Sequence, residues 1–236
     1  MNDLGIKITD RIKSVLKSEK EFLHEPRFNE EEIKYLKKCI ESSFVSTVGQ
    51  YVNQFENEIA NYTKSNRAIA VVNGTSALHI ALKLSGVAEN EEVICPALTF
   101  VATGNAIRYL NAIPHFVDCN EKTLGIDPLS LITWLDNTCE KISGTLINKK
   151  TGRKISAIVP MHTFGHPSEI IKIIEIGEKY GIPIIEDAAE SLGSFYKSQH
   201  TGTFGKFGVL SFNGNKIITT GGGGVILTND IDLANK

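Results

Sequence analysis

The stretch FGVLSFNGNKIITTGGGGVILT, residues 207–228, places two apolar segments on either side of a loop that carries a single lysine. The segments FGVLSF (Phe207–Phe212) and GVILT (Gly224–Thr228) have the length and composition of buried strands. The loop between them is too short to hold the helix that a parallel crossover requires. The sequence therefore predicts two antiparallel neighbouring strands within a larger sheet.

The chain before this stretch alternates short apolar segments with helical ones. Apolar residues at helical spacing first predict two helices, over Asn29–Phe44 and Val52–Tyr62. Strands and helices then alternate, and the predicted strands are Ala68–Val72, Glu92–Cys95, Pro114–Val117, Ile155–Pro160 and Ile182–Asp187. Strands separated by helices favour a parallel sheet that is buried on both faces. The predicted fold class is α/β, with a mostly parallel seven-stranded sheet between helices and one antiparallel strand.

Composition excludes several functional classes. A chain of 236 residues with 42% hydrophobic and 22% charged residues is ordinary for a globular protein. Its net charge of −2 is spread along the chain, which leaves no basic surface for nucleic acid or anionic lipid. Neither a signal-peptide core of about 7–15 apolar residues nor a membrane helix of roughly 18 is found. We expect a cytoplasmic protein without nucleic-acid or membrane partners. The spacing of cysteines and histidines predicts no metal site.

One segment interrupts the alternation of strands and helices. CEKISGTLINKKTGRK (Cys139–Lys154) is polar and basic, and it contains the turn signal KKTGR. We predict an inserted surface hairpin over about 139–154. No repeat or low-complexity linker divides the chain, so a single α/β domain is the simplest organisation.

A first candidate binding stretch is VVNGTSALHIAL (Val71–Leu82), a strand that runs through Gly74 into a helix starting at Thr75 or Ser76. Glycine permits a tight turn, small hydroxyl residues can cap the helix, and the free N–H groups of a first helical turn attract phosphate. An ordinary capped helix explains the same residues.

A second stretch, IPIIEDAAESLG (Ile182–Gly193), delivers Glu186 and Asp187 to the carboxyl end of a buried strand. Ligands bind at that end in open α/β sheets. Adjacent strand residues point to opposite faces, so only one of the two acids can address a given ligand. Asp187 either pairs with a cation, such as a protonated ring nitrogen, or caps the following segment.

Lys216 is the third candidate. An apolar strand precedes it and Ile217 and Ile218 follow it, so we expect its stem to be buried. Burial makes the neutral amine accessible, as a Schiff-base lysine requires. The glycines at 221–224 would let backbone approach a ligand closely or take dihedrals that other residues avoid. A phosphate cradle, a carboxylate at a strand end and a loop amine are the three anchors that pyridoxal 5′-phosphate (PLP) needs.

These residues resemble the DegT/StrS-type PLP-dependent nucleotide-sugar aminotransferases of fold type I, whose fold is aspartate aminotransferase-like. The similarity is greatest to the branch that aminates a nucleotide-linked 4-keto-6-deoxy sugar on the way to legionaminic acid. It implies an N-terminal extension over 1–26 and a PLP-binding large domain over 27–236. The similar segments are VGQYVNQFE (Val48–Glu56), NGTSALHIAL (Asn73–Leu82), CPALTFVATGNAI (Cys95–Ile107), IVPMHTFGHP (Ile158–Pro167), IEDAAESLGS (Ile185–Ser194), TGTFGKFGVLSFNGNK (Thr201–Lys216) and TTGGGGVILT (Thr219–Thr228).

The resemblance implies a role for each matching residue. Lys216 would bond to the cofactor aldehyde and move a proton between substrate and cofactor, and Asp187 would hold the protonated pyridine nitrogen. Glu190 would lie near the ring's 3-hydroxyl, and Phe100 would stack on the ring face. The phosphate would be bound at the helix start by Gly74, by the backbone of Thr75 and Ser76 and by the Ser211 hydroxyl. His162 and His166 are left open between structural and substrate-facing roles.

The resemblance also implies the reaction and the partners. An amino group would move from glutamate to a nucleotide-linked keto-deoxy sugar, for surface polysaccharide or nonulosonic acid biosynthesis. Position C4 is favoured over C3, and the nucleotide, UDP, GDP or CMP, stays open. A homodimer would share the active site between its subunits.

The sequence departs from the family pattern at two places. Gly222 stands where many relatives have a glutamate, although the legionaminic-type branch also lacks that acid. The chain ends at TNDIDLANK, residues 228–236, where relatives continue into a smaller C-terminal domain. We therefore expect the small domain to be absent and the substrate site to be incomplete in this chain.

Three alternative functions differ in the residues that they need. A sugar dehydratase of the same fold replaces the lysine, so Lys216 counts against it. A catalytically silent binding or regulatory protein of the same fold, or an inactive fragment, stays open. A nicotinamide-binding enzyme needs GxGxxG after its first strand, and VVNGTSAL (Val71–Leu78) lacks that motif, which excludes this class.

Overall fold

The computed structural model describes residues 3–16 and 24–236, so residues 1–2 and 17–23 of the predicted N-terminal extension lie outside the described residues. Its helices are α1 (Asp3–Val15), α2 (Glu30–Ser42), α3 (Gln50–Thr63), α4 (Gly74–Leu84), α5 (Val101–Arg108), α6 (Pro128–Thr138), α7 (Ile170–Tyr180) and α8 (Ile231–Ala234). Its strands are β1 (Arg67–Val71), β2 (Glu92–Pro96), β3 (Ile113–Val117), β4 (Cys139–Ile142), β5 (Thr145–Asn148), β6 (Ile155–Ile158), β7 (Ile185–Asp187), β8 (Phe195–Tyr196), β9 (Gln199–His200), β10 (Phe207–Ser211) and β11 (Gly224–Thr228). Within the described ranges, no helix is long and apolar enough to span a membrane.

Seven of the strands form two sheets, in the orders β1-β11-β10-β7 and β3-β2-β6. Isolated parallel bridges, Ile158 to Ile184 and Met161 to Asp187, connect the β6 edge of one sheet to the β7 edge of the other. Strand β11 is antiparallel to β1 and β10, and the other pairings in these two sheets are parallel. The predicted α/β fold class, with its mostly parallel strands and an antiparallel β11, is confirmed. The structure divides the strands between two linked sheets where the sequence predicts one continuous sheet.

Helices cover both faces of these strands. Neighbouring residues of β2 belong to different cores: Val93 packs with α4 and α5, and Ile94 packs with α6 and α7. Because successive side chains of a strand point to opposite faces, this division shows burial on both sides. It explains why the strands consist of continuous apolar runs rather than alternating ones.

The polar segment at 139–154 contains the hairpin of β4 and β5. The hairpin turns at Ser143 and Gly144, which have φ angles of 50° and 83°, as a tight two-residue turn between twisted strands favours. The KKTGR signal lies after β5 and makes a second turn, in which the Gly152 N–H donates to the Asn148 carbonyl at 2.8 Å. The turn signal therefore marks the exit from the hairpin and not its tip.

Candidate active site

The carboxyl edge of the sheets gathers the three candidate stretches. Strands β1, β10 and β7 point the same way, because β1 and β10 are both antiparallel to β11 and β10 is parallel to β7. The start of α4 after β1, the end of β7 and the loop from β10 to β11 therefore lie at one edge. This edge is where open α/β sheets bind ligands.

Asp187 is buried at this edge, with 3% of its surface exposed. Within the described residues its side chain receives two hydrogen bonds, from the Thr103 hydroxyl to Oδ2 at 2.7 Å and from the Ala189 N–H to Oδ1 at 3.3 Å. Burial raises the pKa of Asp187, and the Thr103 hydrogen bond and the nearby charge of Lys216 oppose that rise. A carboxylate offers about four acceptor sites, so Asp187 can both cap Ala189 and accept from a cationic ligand.

Glu186 points to the other side of β7 and is fully occupied by protein donors. Three backbone N–H groups of one loop donate to it, those of Gly202 (2.8 Å), Phe204 (2.7 Å) and Gly205 (2.7 Å). His162 contributes a further bond, with Nε2 3.0 Å from Oε2. The His162 Nδ1 accepts from the Ser168 N–H at 3.2 Å, so its proton lies on Nε2. His162 is completely buried and is a structural histidine, whereas His166 is exposed.

Lys216 lies in the loop from β10 to β11, and its side chain is only 10% exposed. Its Nζ is 2.9 Å from Oε1 of Glu190 and 5.6 Å from the centre of the Phe100 ring. The predicted burial of the lysine stem is confirmed, but Ile217 and Ile218 are 60% and 57% exposed and do not supply it. Glu190 and Phe100 lie against the lysine side chain instead. Both belong to segments that are distant in sequence and end at the same edge of the sheet.

The start of α4 forms a small cradle. Asn73 caps the helix by accepting from the Ser76 N–H at 2.8 Å, so the predicted capping by a hydroxyl residue is wrong. The N–H groups of Gly74 and Thr75 have no partner within the helix, as is general for a first turn. Ser211 lies directly against Gly74: a Cβ added to Gly74 would be 3.0 Å from the Ser211 Cβ. The missing side chain keeps open a space between two N–H groups and a hydroxyl, which suits a phosphate.

Gly224, the last of the four glycines, packs directly against the start of α4. A Cβ added to Gly224 would lie 2.4 Å from the Asn73 carbonyl carbon, which no side chain could tolerate. The close approach at Gly224 is thus to protein backbone and not to a ligand, and Gly221, with φ 83°, takes a dihedral that other residues avoid. The contact at Gly224 fixes the start of β11, and with it the end of the lysine loop, beside the helix start.

These residues fit PLP. The cradle offers N–H donors without a blocking side chain, the buried Asp187 keeps acceptor capacity for a ring cation, and the amine of Lys216 lies between an acid and an aromatic ring. Each part meets one need of the cofactor: its phosphate, its pyridine nitrogen and its aldehyde.

The model of the DegT/DnrJ/EryC1/StrS aminotransferase family matches residues 26–236. The chain belongs to this family. The GDP-perosamine synthase of Escherichia coli O157:H7 is 38% identical over 214 residues, 91% of this chain and 54% of that protein. The GDP-perosamine synthase of Caulobacter vibrioides is 38% identical over 211 residues, 89% of this chain and 53% of that protein. The solved aminotransferase of Psychrobacter cryohalolentis has a TM-score of 0.79 at 33% identity, over 90% of this chain and 50% of that one.

Two properties follow for this family member. The comparison with solved aminotransferase structures confirms the fold-type-I class. The chain spans about half the length of the curated relatives it matches.

In the segment TFVAT (Thr99–Thr103), the resemblance to the family assigns a role to Phe100 but not to Thr99 or Thr103. Thr103 donates to Asp187, and the Thr99 hydroxyl is 2.8 Å from the Thr103 hydroxyl. No short sequence pattern indicates this pair, because Thr99 precedes the N-cap residue Phe100 while Thr103 lies in the first turn of α5. Asn73 carries a clear signal, because asparagine directly before a helix start is a preferred cap.

Proposed function

We propose that this protein is a PLP-dependent aminotransferase that moves an amino group from glutamate to a nucleotide-linked keto-deoxy sugar, at C4 of a 4-keto-6-deoxy hexose. The observation that carries the proposal is the environment of Lys216. Its Nζ is shielded from water beside Glu190 and Phe100, at the same edge as a buried carboxylate that still has acceptor capacity.

PLP, when bound, supplies an aldehyde that carries the amino group and a ring that accepts electron density. Asp187 holds a proton on the ring nitrogen, and its burial strengthens that charge interaction because the local dielectric is low. Gly74 and Thr75 hold the phosphate through their N–H groups, and Ser211 does so through its hydroxyl. Ser76 contributes its hydroxyl and not, as the resemblance implied, its backbone N–H, because that N–H donates to Asn73.

Lys216 acts as the covalent anchor and then as the base that moves a proton between the substrate carbon and the cofactor. Glu190 positions the amine, with Oε1 2.9 Å from the Lys216 Nζ. A dehydratase of this fold lacks the lysine, so the presence of Lys216 favours the aminotransferase.

The names of the relatives support the substrates. Two GDP-perosamine synthases, each 38% identical, support a nucleotide-linked sugar as acceptor. Glutamate as donor is supported by a solved dehydratase in which PLP and glutamate are trapped together, at 26% identity and a TM-score of 0.77.

A homodimer with a shared site is part of the proposal. The chain segments that carry Phe100 and Lys216 hold four apolar residues that are more than half exposed: Phe100, Val101, Ile217 and Ile218. Clustered exposed apolar residues mark interaction surfaces, and most oligomers of one chain are symmetric dimers. Light scattering of the purified protein should give a dimer mass, and Ile217→Glu should shift it towards the monomer.

The proposed function is tested by the covalent bond to Lys216. Borohydride reduction of the protein with PLP, followed by peptide mass analysis, should place the cofactor on Lys216. Lys216→Ala should bind no PLP covalently, while Lys206→Ala, a change on the exposed face, should behave as the parent. Glutamate should then bleach the colour of the loaded protein, and keto-sugar nucleotides should restore it with formation of an amino sugar.

Two results would contradict the proposal. An adduct on another lysine would remove the assigned site. PLP binding without bleaching by glutamate would favour the catalytically silent protein of the same fold.

A further inference from the structure

Phe164 has an unusual backbone conformation. It lies in a single 3₁₀ turn, Thr163–Gly165, with φ 52° and ψ 29°, in the left-handed region. Bulky residues other than glycine avoid this region, and such an outlier is a lead to function. The ring is 82% exposed, so it contributes little burial that would offset the strain.

The strained turn lies between two residues of the candidate site. It follows the carboxyl end of β6, and the N–H of His162, just before it, donates to the Asp187 carbonyl at 3.1 Å. Gly165, just after Phe164, packs against Glu190: an added Cβ would lie 2.6 Å from the Glu190 carbonyl oxygen. Phe164 therefore stands at the ligand-binding edge, beside the backbone of Asp187 and Glu190.

A second strained apolar residue adjoins the turn. Leu124, in the loop after β3, has φ 59° and is 40% exposed, and its carbonyl accepts from the Thr163 hydroxyl at 3.2 Å. In residues 3–16 and 24–236, the other non-glycine residues with positive φ are polar: Ser43, Lys64, Asn90, Asn111, Ser143 and Lys197. The two bulky apolar exceptions thus belong to adjoining loops at the same edge.

The chemistry of the possible ligands narrows the role of Phe164. In the proposed function Phe100 stacks on the cofactor ring, and glutamate has no ring or apolar face for an aromatic side chain to cover. The sugar-nucleotide acceptor has two ring faces, a nucleobase and a pyranose. Aromatic side chains bind such faces by stacking.

We propose that Phe164, supported by Leu124, is a specificity residue that stacks on a ring of the nucleotide-linked sugar acceptor and makes no contact with glutamate. This inference rests on the proposed function and deepens it. The backbone strain of the turn is kept because it holds the aromatic ring at the site.

The test compares Phe164→Leu and Phe164→Gly with the matched control Phe164→Tyr, in the protein loaded with PLP. Phe164→Leu should weaken acceptor binding roughly tenfold, which is the lower part of the range for one stacked ring. Phe164→Tyr keeps the ring and should bind as the parent. Bleaching by glutamate should proceed at the parental rate in all three variants.

Phe164→Gly separates stacking from stability. It should lose acceptor affinity as Phe164→Leu does, yet melt at the parental temperature or above, because glycine accepts the left-handed conformation. Titration calorimetry with GDP or UDP alone distinguishes the two ring sources. If the Phe164 variants bind the nucleoside diphosphate more weakly than the parent, Phe164 stacks on the nucleobase. If they bind only the sugar nucleotide more weakly, Phe164 stacks on the pyranose.

Parental acceptor affinity in both Phe164→Leu and Phe164→Gly would overturn the proposal. So would an equal slowing of the glutamate reaction, or a change of oligomeric state, which would assign Phe164 to a subunit contact. If the parent binds no nucleotide or sugar nucleotide, this inference fails, while the Lys216 adduct and the glutamate reaction still decide the proposed function separately.

Discussion

Glu186 and Asp187 are neighbours on β7, and both are buried, yet the two sides of the strand treat them differently. In the part of the chain that the structure describes, the Glu186 carboxylate receives four hydrogen bonds and the Asp187 carboxylate receives two. An acid whose acceptor sites are filled by the protein ties elements together. An acid with sites to spare can bind a ligand. The number of donors, rather than burial or charge, separates the two roles.

Burial of the Asp187 carboxyl also affects the stability of the fold. Burial raises the pKa of Asp187 above its ordinary 3.8. Stability that is present below that ordinary value is therefore lost as the pH rises through the higher pKa of the folded protein. Burial therefore disfavours the charged form of Asp187 in the fold, and a cationic ligand would offset this cost.

The largest expected effect comes from Glu186→Ala. Removing the carboxylate leaves three loop N–H groups and His162 without their acceptor in a dry interior. Breaking one side of such a buried network costs about 3–5 kcal/mol. Urea unfolding should show this loss with and without PLP. A loss below about 1 kcal/mol would mean that other groups can satisfy these donors.

Asp187→Asn should instead affect the reaction. The amide is nearly isosteric but cannot hold a proton on the ring nitrogen as an anion does. Loss of one preorganised electrostatic group typically slows a reaction by about 10²–10³-fold. The rate of bleaching by glutamate in a single turnover measures it. A rate within threefold of the parent would remove Asp187 from its assigned role.

Thr103→Val tests the donor behind Asp187. The hydroxyl lies 2.7 Å from Oδ2, and a hydrogen bond to a charged group contributes about 1.5–3 kcal/mol. We expect PLP to bind about tenfold more weakly, with Thr103→Ser restoring the affinity. Thr99→Val is the matched control, since Thr99 reaches Asp187 only through Thr103. Equal effects of the two valine variants would point to general packing.

The smallest expected effect is the pH dependence of stability that His200 contributes, which has the opposite sign to the contribution of Asp187. His200 is buried; its Nε2 accepts from the Gly193 N–H at 2.8 Å, and burial lowers its pKa below the ordinary 6.5. The unfolded chain therefore binds the proton first, and stability present above about pH 6.5 is lost as the pH falls, by at most about 1.4 kcal/mol per pH unit.

Urea midpoints between about pH 7 and 5 should record this fall, and His200→Gln should flatten part of it. Burial also lowers the pKa of His115, which accounts for a remaining slope. An unchanged slope in His200→Gln would show that His200 titrates as an exposed histidine does.

Much of the fold and of the site follows from local patterns. The strands and the antiparallel β11 are predicted by apolar runs and by the short loop that holds Lys216, because both are properties of adjacent residues. The cover over Lys216 is not predictable in this way. Ile217 and Ile218 are its neighbours in sequence but lie exposed, whereas the groups that shield it come from distant segments.

The different roles of Glu186 and Asp187 cannot be predicted from sequence either, because their hydrogen-bond donors come from distant segments. Nothing near Glu186 indicates that a loop some sixteen to nineteen residues further on turns three N–H groups towards it. Thr103 meets Asp187 across 84 positions of sequence. Hydrogen bonds of this kind depend on how loops are placed by the sheet, which no short pattern records.

The most direct test of the account is the melting temperature of Asp187→Asn and Glu186→Gln, measured side by side with and without PLP. Without cofactor, Asp187→Asn should melt at or above the parental temperature, because it removes a carboxyl group whose charged form burial disfavours, and PLP should raise that temperature less than it does in the parent. Glu186→Gln should melt lower without cofactor, since its amide faces N–H donors, and should gain as much from PLP as the parent does. The reverse pattern, with Asp187→Asn destabilised and Glu186→Gln deprived of its gain from PLP, would contradict the assignment of the two acids.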